Sequence, residues 1–195
     1  MKNGHLYIIS GPSGVGKGTV IKELLRQFPD LYLAISATTR LPREGERDGK
    51  DYHFFTQTNF DKMVEDDKLL EYAWVHDHCY GTLSSEVIPR IEQGQSVLLE
   101  IDIQGKEKVS QRLGSQCTSI FIVPPNIEIL EQRLRTRNTE SESRIQGRIQ
   151  IAKKELAAKE KYDYIVINEQ LEAAVQAIAK ILNLSVAELK KGNEE

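Results

Sequence analysis

A glycine-rich segment that ends in a lysine is the strongest chemical feature of this sequence. Gly11, Gly16 and Lys17 are spaced as in a phosphate-binding loop, and the segment follows an apolar run and precedes a helical pattern. In such a loop the glycines let successive backbone N–H groups point inward at phosphate oxygens, and the lysine reaches the β- and γ-phosphates of a nucleotide. The predicted phosphate-binding residues are Gly11, Pro12, Ser13, Gly14, Val15, Gly16, Lys17, Gly18 and Thr19.

One position of this loop departs from the usual pattern. Gly18 follows the lysine where Ser or Thr is usual, and Thr19 comes one place later. The hydroxyl that would contact Mg²⁺ is therefore missing at its normal position. Since Mg²⁺ gives up its water reluctantly, we expect it to be held largely by the nucleotide phosphates and water.

The arginines are unevenly distributed along the chain. Eight of the eleven fall in residues 40–47 and 133–148, whereas the lysines are scattered. A guanidinium group makes bidentate contacts with phosphate or carboxylate, so both segments are candidate anion sites. Composition alone is equally consistent with two solvated charged loops.

The elements that must position these residues follow an alternating pattern. Residues 5–9 form a short apolar run before glycine and proline, which predicts a buried strand, and a helical period begins at Lys17. Further strands are predicted at Val97–Ile101, Ser119–Val123 and Tyr164–Ile167, and helices at Gln104–Leu113, Ile127–Leu134, Arg144–Glu160 and Leu171–Leu182. Alternating strands and helices predict a parallel sheet covered on both faces.

Residues 36–85 interrupt this alternation. They contain turn residues and two short strand-like pieces, Tyr52–Thr56 and Leu69–Val75. We predict a small mixed subdomain inserted between the core strands. The helical stretch that begins at Ser84 contains Pro89, so that helix should be short or kinked.

Composition limits the class of protein. A chain of 195 residues with 39% hydrophobic residues is expected to form one domain with a real core. The net charge of −3 gives no general attraction to nucleic acid or to an anionic membrane. Apolar runs such as Leu6–Ile9 are far shorter than the roughly 20 residues of a membrane span, and two cysteines are too few for a disulfide framework. We expect a cytoplasmic protein with neither a nucleic-acid nor a membrane partner.

Two weaker motifs were weighed against this interpretation. Residues 102–105, Asp-Ile-Gln-Gly, match the D-x-x-G switch of GTPases, but the Asn-Lys-x-Asp guanine motif is absent and no Asn-Lys dipeptide occurs in the chain. His76, His78 and Cys79 could suggest zinc, yet no second ligand cluster follows. We predict a turn between two strands there.

At residues 36–46, Ser-Ala-Thr-Thr-Arg-Leu-Pro-Arg-Glu-Gly-Glu, the sequence resembles the guanylate kinase family. The further matches are Gly49–Phe54, Glu71–Ala73, Tyr80–Thr82, Glu100–Gly105 and Arg133–Arg148. The motifs occur in family order and spacing, and the resemblance extends from about Leu6 to Leu182. It implies transfer of the γ-phosphoryl group of ATP to GMP or dGMP, giving ADP and GDP in purine nucleotide metabolism.

The resemblance also implies a fold and a division of the chain. The fold is an α/β, three-layer P-loop kinase core with a five-stranded parallel sheet. The core would comprise residues 1–35, 86–135 and 148–195, the GMP-binding subdomain residues 36–85, and the lid residues 136–147 approximately. We expect a monomer or a small homo-oligomer.

The resemblance assigns eight residues to the GMP site. Matching positions hold the acceptor phosphate through Arg40, Arg43, Tyr52 and Tyr80, and contact the base through Ser36, Glu71, Thr82 and Asp102. These residue types suit guanine, which presents its N1–H and 2-amino donors side by side, whereas adenine has no donor at N1 or C2. A carboxylate facing those positions favours guanine, because adenine would leave a buried charge unpaired.

On the ATP side, the resemblance implies four catalytic cations, Lys17, Arg133, Arg137 and Arg148. Phosphoryl transfer spreads negative charge over equatorial oxygens, and arginines delivered by a closing lid would neutralise it and exclude water. Asn168 is a predicted contact to the ATP adenine. Glu100 either acts on Mg²⁺ through bound water or is a solvated acid.

A different class of protein stays open as the alternative, a guanylate-kinase-like module that has lost catalysis and binds protein partners. Such modules typically lose the lysine of the phosphate loop or the arginines of the acceptor site. Here Lys17, Arg40, Arg43 and Arg148 are all present. The sequence therefore favours the enzyme.

Overall fold

A computed structural model describes residues 4–75, 77–136 and 142–184 of the chain. The strands in these residues are β1 (Leu6–Ser10), β2 (Tyr32–Leu33), β3 (Ser36–Thr38), β4 (His53–Phe54), β5 (Leu69–Val75), β6 (His78–Leu83), β7 (Val97–Glu100), β8 (Cys117–Val123) and β9 (Tyr164–Ile167). The α-helices are α1 (Lys17–Gln27), α2 (Gln57–Glu65), α3 (Ser84–Glu92), α4 (Ile103–Leu113), α5 (Ile127–Thr136), α6 (Glu142–Leu156) and α7 (Leu171–Ile181).

The main sheet has five strands in the order β2-β7-β1-β8-β9, and β2/β7 and β8/β9 pair in parallel. The predicted α/β fold with a five-stranded parallel sheet is confirmed. All five residues of β1 are buried, as expected for a parallel strand that is covered on both faces. Four of these strands were predicted within a few residues. The fifth, β2, has only two residues and carries no period that a sequence could reveal.

A second sheet has the order β4-β3-β6-β5 and lies entirely within residues 36–85. β3 pairs in parallel with β4 and antiparallel with β6, and β5 pairs antiparallel with β6, so the sheet is mixed. Its core contains Ala37, Phe60, Leu69 and Cys79, with Phe60 supplied by α2. β5 has its predicted bounds, whereas the predicted strand Tyr52–Thr56 shortens to β4. His76 lies outside the described residues, and β5 and β6 flank it.

The chain divides into two compact units. The first unit contains Met1–Leu6 and Tyr32–Thr118, and therefore the second sheet with α3 and α4. The second unit contains Tyr7–Leu31 and Ser119–Glu195, and therefore the predicted phosphate loop with α1, α5, α6 and α7. The finer division into core, GMP-binding subdomain and lid stays a prediction.

The helices follow the predicted pattern with shifted ends. α3 is nine residues long and contains Pro89, in keeping with the short helix expected there. α6 begins two residues before the predicted start and ends at Leu156, and a separate 3₁₀ turn covers Lys159–Lys161. In the parts of the chain that the structure describes, none of the helices is long and apolar enough to cross a membrane.

Candidate active site

The phosphate loop joins β1 to α1 and has the backbone that its glycines allow. Gly14 and Gly16 have φ values of 87° and 98°, in the left-handed region that favours glycine. A Cβ atom on Gly16 would lie 2.7 Å from Nδ2 of Asn168, so only glycine fits there. No side chain among the described residues caps the N-terminus of α1 at Gly16. A bound anion is the natural partner for such a helix N-terminus.

Lys17 lies with its ammonium group over this loop. Its Nζ atom donates to the carbonyl oxygens of Gly11 at 2.7 Å and Pro12 at 3.4 Å. The predicted loop residues are thus brought together, whereas Gly18 and Thr19 are exposed on the first turn of α1. A cation held at this place is suited to the β- and γ-phosphates of a nucleotide.

Two residues with predicted substrate contacts hold the loop backbone instead. Arg133 donates from Nη1 to the carbonyl oxygen of Val15 at 3.1 Å and from Nη2 to that of Asn168 at 3.0 Å. Buried Asn168 donates from Nδ2 to the same Val15 oxygen at 2.8 Å and from its backbone N–H to Val123 at 2.8 Å. These bonds fix the loop from behind. The contacts of Arg133 and Asn168 with ATP stay predictions.

α6 places two opposite charges against Ser13. Arg148 donates from Nη2 to the Ser13 hydroxyl at 2.6 Å, and the Ser13 backbone N–H donates to Oε2 of Glu155 at 3.3 Å. Sequence reasoning missed Glu155, although its spacing of seven residues from Arg148 places both on one face of a helix. Arg137 and residues 137–141 of the predicted lid lie outside the described residues, whereas residues 142–147 begin α6.

In the first unit, three strands align the predicted base-binding residues in one row. Ser36 of β3 is opposite Thr82 of β6, and Thr82 is opposite Glu71 of β5. The Thr82 hydroxyl donates to Oε1 of Glu71 at 2.8 Å. Glu71 is 5% exposed, and a carboxylate is seldom so deeply buried.

The electrostatics of Glu71 follow from this burial. Desolvation raises the pKa of its carboxyl group to about 7, the hydrogen bond from Thr82 lowers it, and the nearby charge of Asp102 raises it further. Asp102 begins α4 as its N-cap, and its Oδ1 accepts from the backbone N–H of Gly105 at 2.8 Å. Desolvation thus outweighs the hydrogen bond from Thr82 and the positive charge of Lys108, and Glu71 and Asp102 are neighbouring acceptors.

The predicted acceptor-phosphate residues form a second group in the same unit. The guanidinium of Arg40 lies 5.3 Å from the ring centre of Tyr52, and the rings of Tyr52 and Tyr80 are 6.1 Å apart. Hydrogen bonds to Glu46 and Tyr80 raise the pKa of Arg40, and burial raises the pKa of Tyr52. Arg43 belongs to the same loop, but its side chain is exposed.

Glu46 orders this loop and was missed from the sequence. Its Oε1 accepts from Nη2 of Arg40 at 2.9 Å, and its Oε2 accepts from the backbone N–H of Arg43 at 2.8 Å. These bonds lower the pKa of Glu46. The sequence signal was an acidic residue that follows Arg40 and Arg43 by six and three positions, close enough to accept hydrogen bonds from both.

Glu100 ends β7 with an exposed side chain. Its charge contributes to the raised pKa of Tyr52. No group of three His, Cys, Asp or Glu residues in the described chain could hold a metal ion by itself. The role of Glu100 toward Mg²⁺ stays a prediction.

Several known proteins are similar to this chain. A family model described as guanylate kinase matches residues 3–185. A guanylate kinase of Caldanaerobacter subterraneus is 48% identical over 181 residues, which cover 93% of this chain and 87% of that relative. A guanylate kinase of Fusobacterium nucleatum is 46% identical, with 95% and 100% covered. The crystal structure of guanylate kinase from Anaplasma phagocytophilum is similar with a TM-score of 0.77 and 32% identity, covering 98% of this chain and 89% of that one.

Proposed function

We propose that this chain, which belongs to the guanylate kinase family, transfers the γ-phosphoryl group of ATP to GMP, and also to dGMP, giving ADP and GDP. The buried carboxylate of Glu71, next to Thr82 and Asp102, is the observation that carries the proposal. A phosphate loop alone is common to many nucleotide-binding proteins. In the first unit, the neighbouring acceptors Glu71 and Asp102 favour a base that carries adjacent hydrogen-bond donors.

Guanine supplies what the Glu71 site lacks. Its N1–H and 2-amino groups are two donors side by side, and a carboxylate can accept both at once. Thr82 satisfies one oxygen of Glu71 from the side, and Asp102 offers a further acceptor. Adenine would leave the buried charge without donors, which is the kind of mismatch that binding sites reject strongly.

The acceptor phosphate is proposed to bind Arg40, Arg43, Tyr52 and Tyr80. Arg40 already lies against both tyrosines, so a dianion would meet a fixed cation and two hydroxyl donors. Because Glu46 accepts from Arg40 and from the backbone of Arg43, the loop keeps its shape before the nucleotide binds. The exposed guanidinium group of Arg43 is suited to close over the phosphate.

On the donor side, residues 11–19 are proposed to bind the ATP phosphates through backbone N–H groups and Lys17. Arg148, whose Nη2 contacts the Ser13 hydroxyl, is suited to neutralise charge on the transferring group. Arg137 is proposed to assist it. Arg133 and Asn168 support the loop by the bonds they donate to its backbone.

The residues at the loop fit a Mg²⁺ ion that binds mainly to ATP. The helix offers Gly18 where a hydroxyl ligand would be usual, and Thr19 is exposed. Mg²⁺ bound to the ATP phosphates would neutralise charge that develops in the transition state. Glu100 is proposed to touch that ion only through water.

The enzyme is proposed to serve purine nucleotide metabolism in the cytoplasm, by recycling GMP. Its partners would be the two nucleotides, with no nucleic acid and no membrane, and it would be a monomer or a small homo-oligomer. A core, a GMP-binding subdomain and a lid are proposed as its working parts. The catalytically inactive, protein-binding alternative is disfavoured, because Lys17, Arg40, Arg43 and Arg148 all remain.

A coupled assay of ADP formation tests the proposal. ATP and Mg²⁺ are held saturating, and GMP, dGMP, AMP and dTMP are offered in turn. We expect turnover with GMP and dGMP and at least 100-fold lower kcat/KM with AMP. No GMP-dependent ADP would favour the binding module, and equal use of AMP or dTMP would indicate a different nucleotide kinase.

A further inference from the structure

The D-x-x-G motif of residues 102–105 contains a glycine that local conformation does not explain. Gly105 lies in the first turn of α4, where glycine is less favourable than alanine. Its φ is not among the positive values of the chain. A glycine inside a helix that needs no unusual backbone must have a packing reason.

The space around Gly105 supplies that reason. A Cβ atom on this residue would lie 2.6 Å from Oε2 and 3.1 Å from Cδ of Glu71, and 3.4 Å from Oδ1 of Asp102. The backbone N–H of Gly105 donates to the same Asp102 oxygen. Gly105 therefore touches both carboxylates that are proposed to contact the base, and does so without a side chain.

We propose that Gly105 is a specificity-determining positioning residue, whose missing side chain lets the Glu71 carboxylate occupy the place between Thr82 and Asp102 from which it accepts from guanine. This inference rests on the proposed function, because it concerns the same base site. The D-x-x-G motif then fixes the two carboxylates proposed to contact the base, Glu71 and Asp102, in two ways. Asp102 caps α4, and Gly105 leaves room for Glu71.

If a Cβ atom were added at position 105, the Glu71 side chain would move and helix α4 would stay in place. α4 is held against β5 by Arg112, which donates to Leu69, and by Lys108, which donates to Tyr72. The helix is also anchored by the fully buried Val109. The carboxylate is the end of a rotatable side chain, so a methyl group at position 105 would push it by roughly 1 Å to reach ordinary contact distance. Its 2.8 Å bond with Thr82 would not survive that shift.

The test compares Gly105→Ala with Val109→Ala on the same helix. Inosine monophosphate, which lacks the 2-amino donor, is the probe of base reading beside GMP. We expect Gly105→Ala to lower kcat/KM for GMP at least 10-fold. The ratio of kcat/KM for GMP to kcat/KM for inosine monophosphate should fall at least 5-fold, and the KM for ATP should stay unchanged. Val109→Ala should lower the melting temperature and keep that ratio. An unchanged ratio in Gly105→Ala overturns the inference.

A second variant shows whether the effect passes through Glu71. Glu71→Asp shortens the side chain by one methylene group, which removes the contact with a new Cβ atom. We expect Glu71→Asp to impair the wild type but to restore part of the GMP selectivity of Gly105→Ala, so that the two effects are not additive. Strict additivity, or a Gly105→Ala variant that cannot fold, overturns the inference.

A readout without substrate separates this inference from the proposed function. The carboxyl carbon of Glu71 is titrated by NMR in the free protein, and we expect its midpoint to change in Gly105→Ala and not in Val109→Ala. An unchanged midpoint in both variants overturns the placement of Glu71 by Gly105. A wild type that does not phosphorylate GMP overturns the proposed function, while this titration still decides how Glu71 is held.

Discussion

Replacing Glu71 by Gln is expected to make the protein more stable at pH 8 while removing its preference for GMP. Burial raises the pKa of the Glu71 carboxyl from 4.5 to about 7. At roughly 1.4 kcal/mol per pKa unit, ionising this group in the folded state costs about 3 kcal/mol relative to the unfolded chain. Gln has nearly the same volume, can still accept the hydrogen bond from Thr82, and carries no charge.

The sign of the pH dependence follows from proton binding. Between about pH 4.5 and pH 7 the folded protein keeps the Glu71 proton that the unfolded chain has lost. The free energy of unfolding contributed by this group therefore falls as the pH rises through that window, and stays low above pH 7. Glu71→Gln should be near neutral at pH 4.5 and should gain up to about 3 kcal/mol at pH 8.

Urea unfolding of the nucleotide-free protein at pH 4.5, 6 and 8 measures this difference. The matched control is Glu65→Gln, which changes an exposed acid in the same unit and should leave the free energy of unfolding unchanged at each pH. A Glu71→Gln variant that is equally stabilised at pH 4.5 and pH 8, or destabilised at pH 8, would refute the reasoning from burial.

Three further outcomes are expected. GMP should bind more tightly as the pH rises toward 8, and its binding near pH 6 should release a proton, because the donors of guanine favour ionised Glu71. Calorimetry in two buffers of different ionisation enthalpy measures the proton release, and the Glu71→Gln variant corrects for protons released by the phosphate of GMP. Equal proton release by the wild type and the variant would contradict this expectation. Lys17→Met should abolish transfer and leave the Kd for GMP unchanged; turnover above a tenth of wild type with saturating ATP would count against its role. Arg43→Ala should raise the Kd for GMP without ATP, whereas Arg148→Ala should leave that Kd unchanged and depress kcat; equal weakening by both, with single-turnover chemistry intact, would make Arg148 an acceptor-site residue.

The phosphate loop could be predicted from the sequence because its structure is local. Gly14 and Gly16 need backbone angles that glycine supplies, and Lys17 reaches carbonyl oxygens only five and six residues away. The residues of the motif itself lie within one strand, one turn and one helix, although Arg133 and Asn168 also hold its backbone from distant positions in the chain. The alternation of the longer strands and helices was visible for the same reason.

Features that depend on distant partners were not predictable in this way. β2 has two residues and is a strand only because β7 pairs with it. β3 and β6 likewise form strands because they pair with each other, and neither has an apolar period that predicts a strand. Glu155 contacts Ser13 across 142 positions of the chain, so its helical spacing from Arg148 could show a shared face but not the contact with Ser13.

The two proposed nucleotide-binding regions are held in shape by different physical means. In the second unit Arg133 and Asn168 both donate to the carbonyl oxygen of Val15, and these bonds hold the backbone of the proposed phosphate loop in place. In the first unit Glu71 is held in a place where its charge is unfavourable. Guanine donors would relieve that penalty, whereas a base without them would not. If Glu71 contacts the base as proposed, the unfavourable free energy of its buried charge contributes to discrimination between bases, and the stability gained by Glu71→Gln measures that free energy.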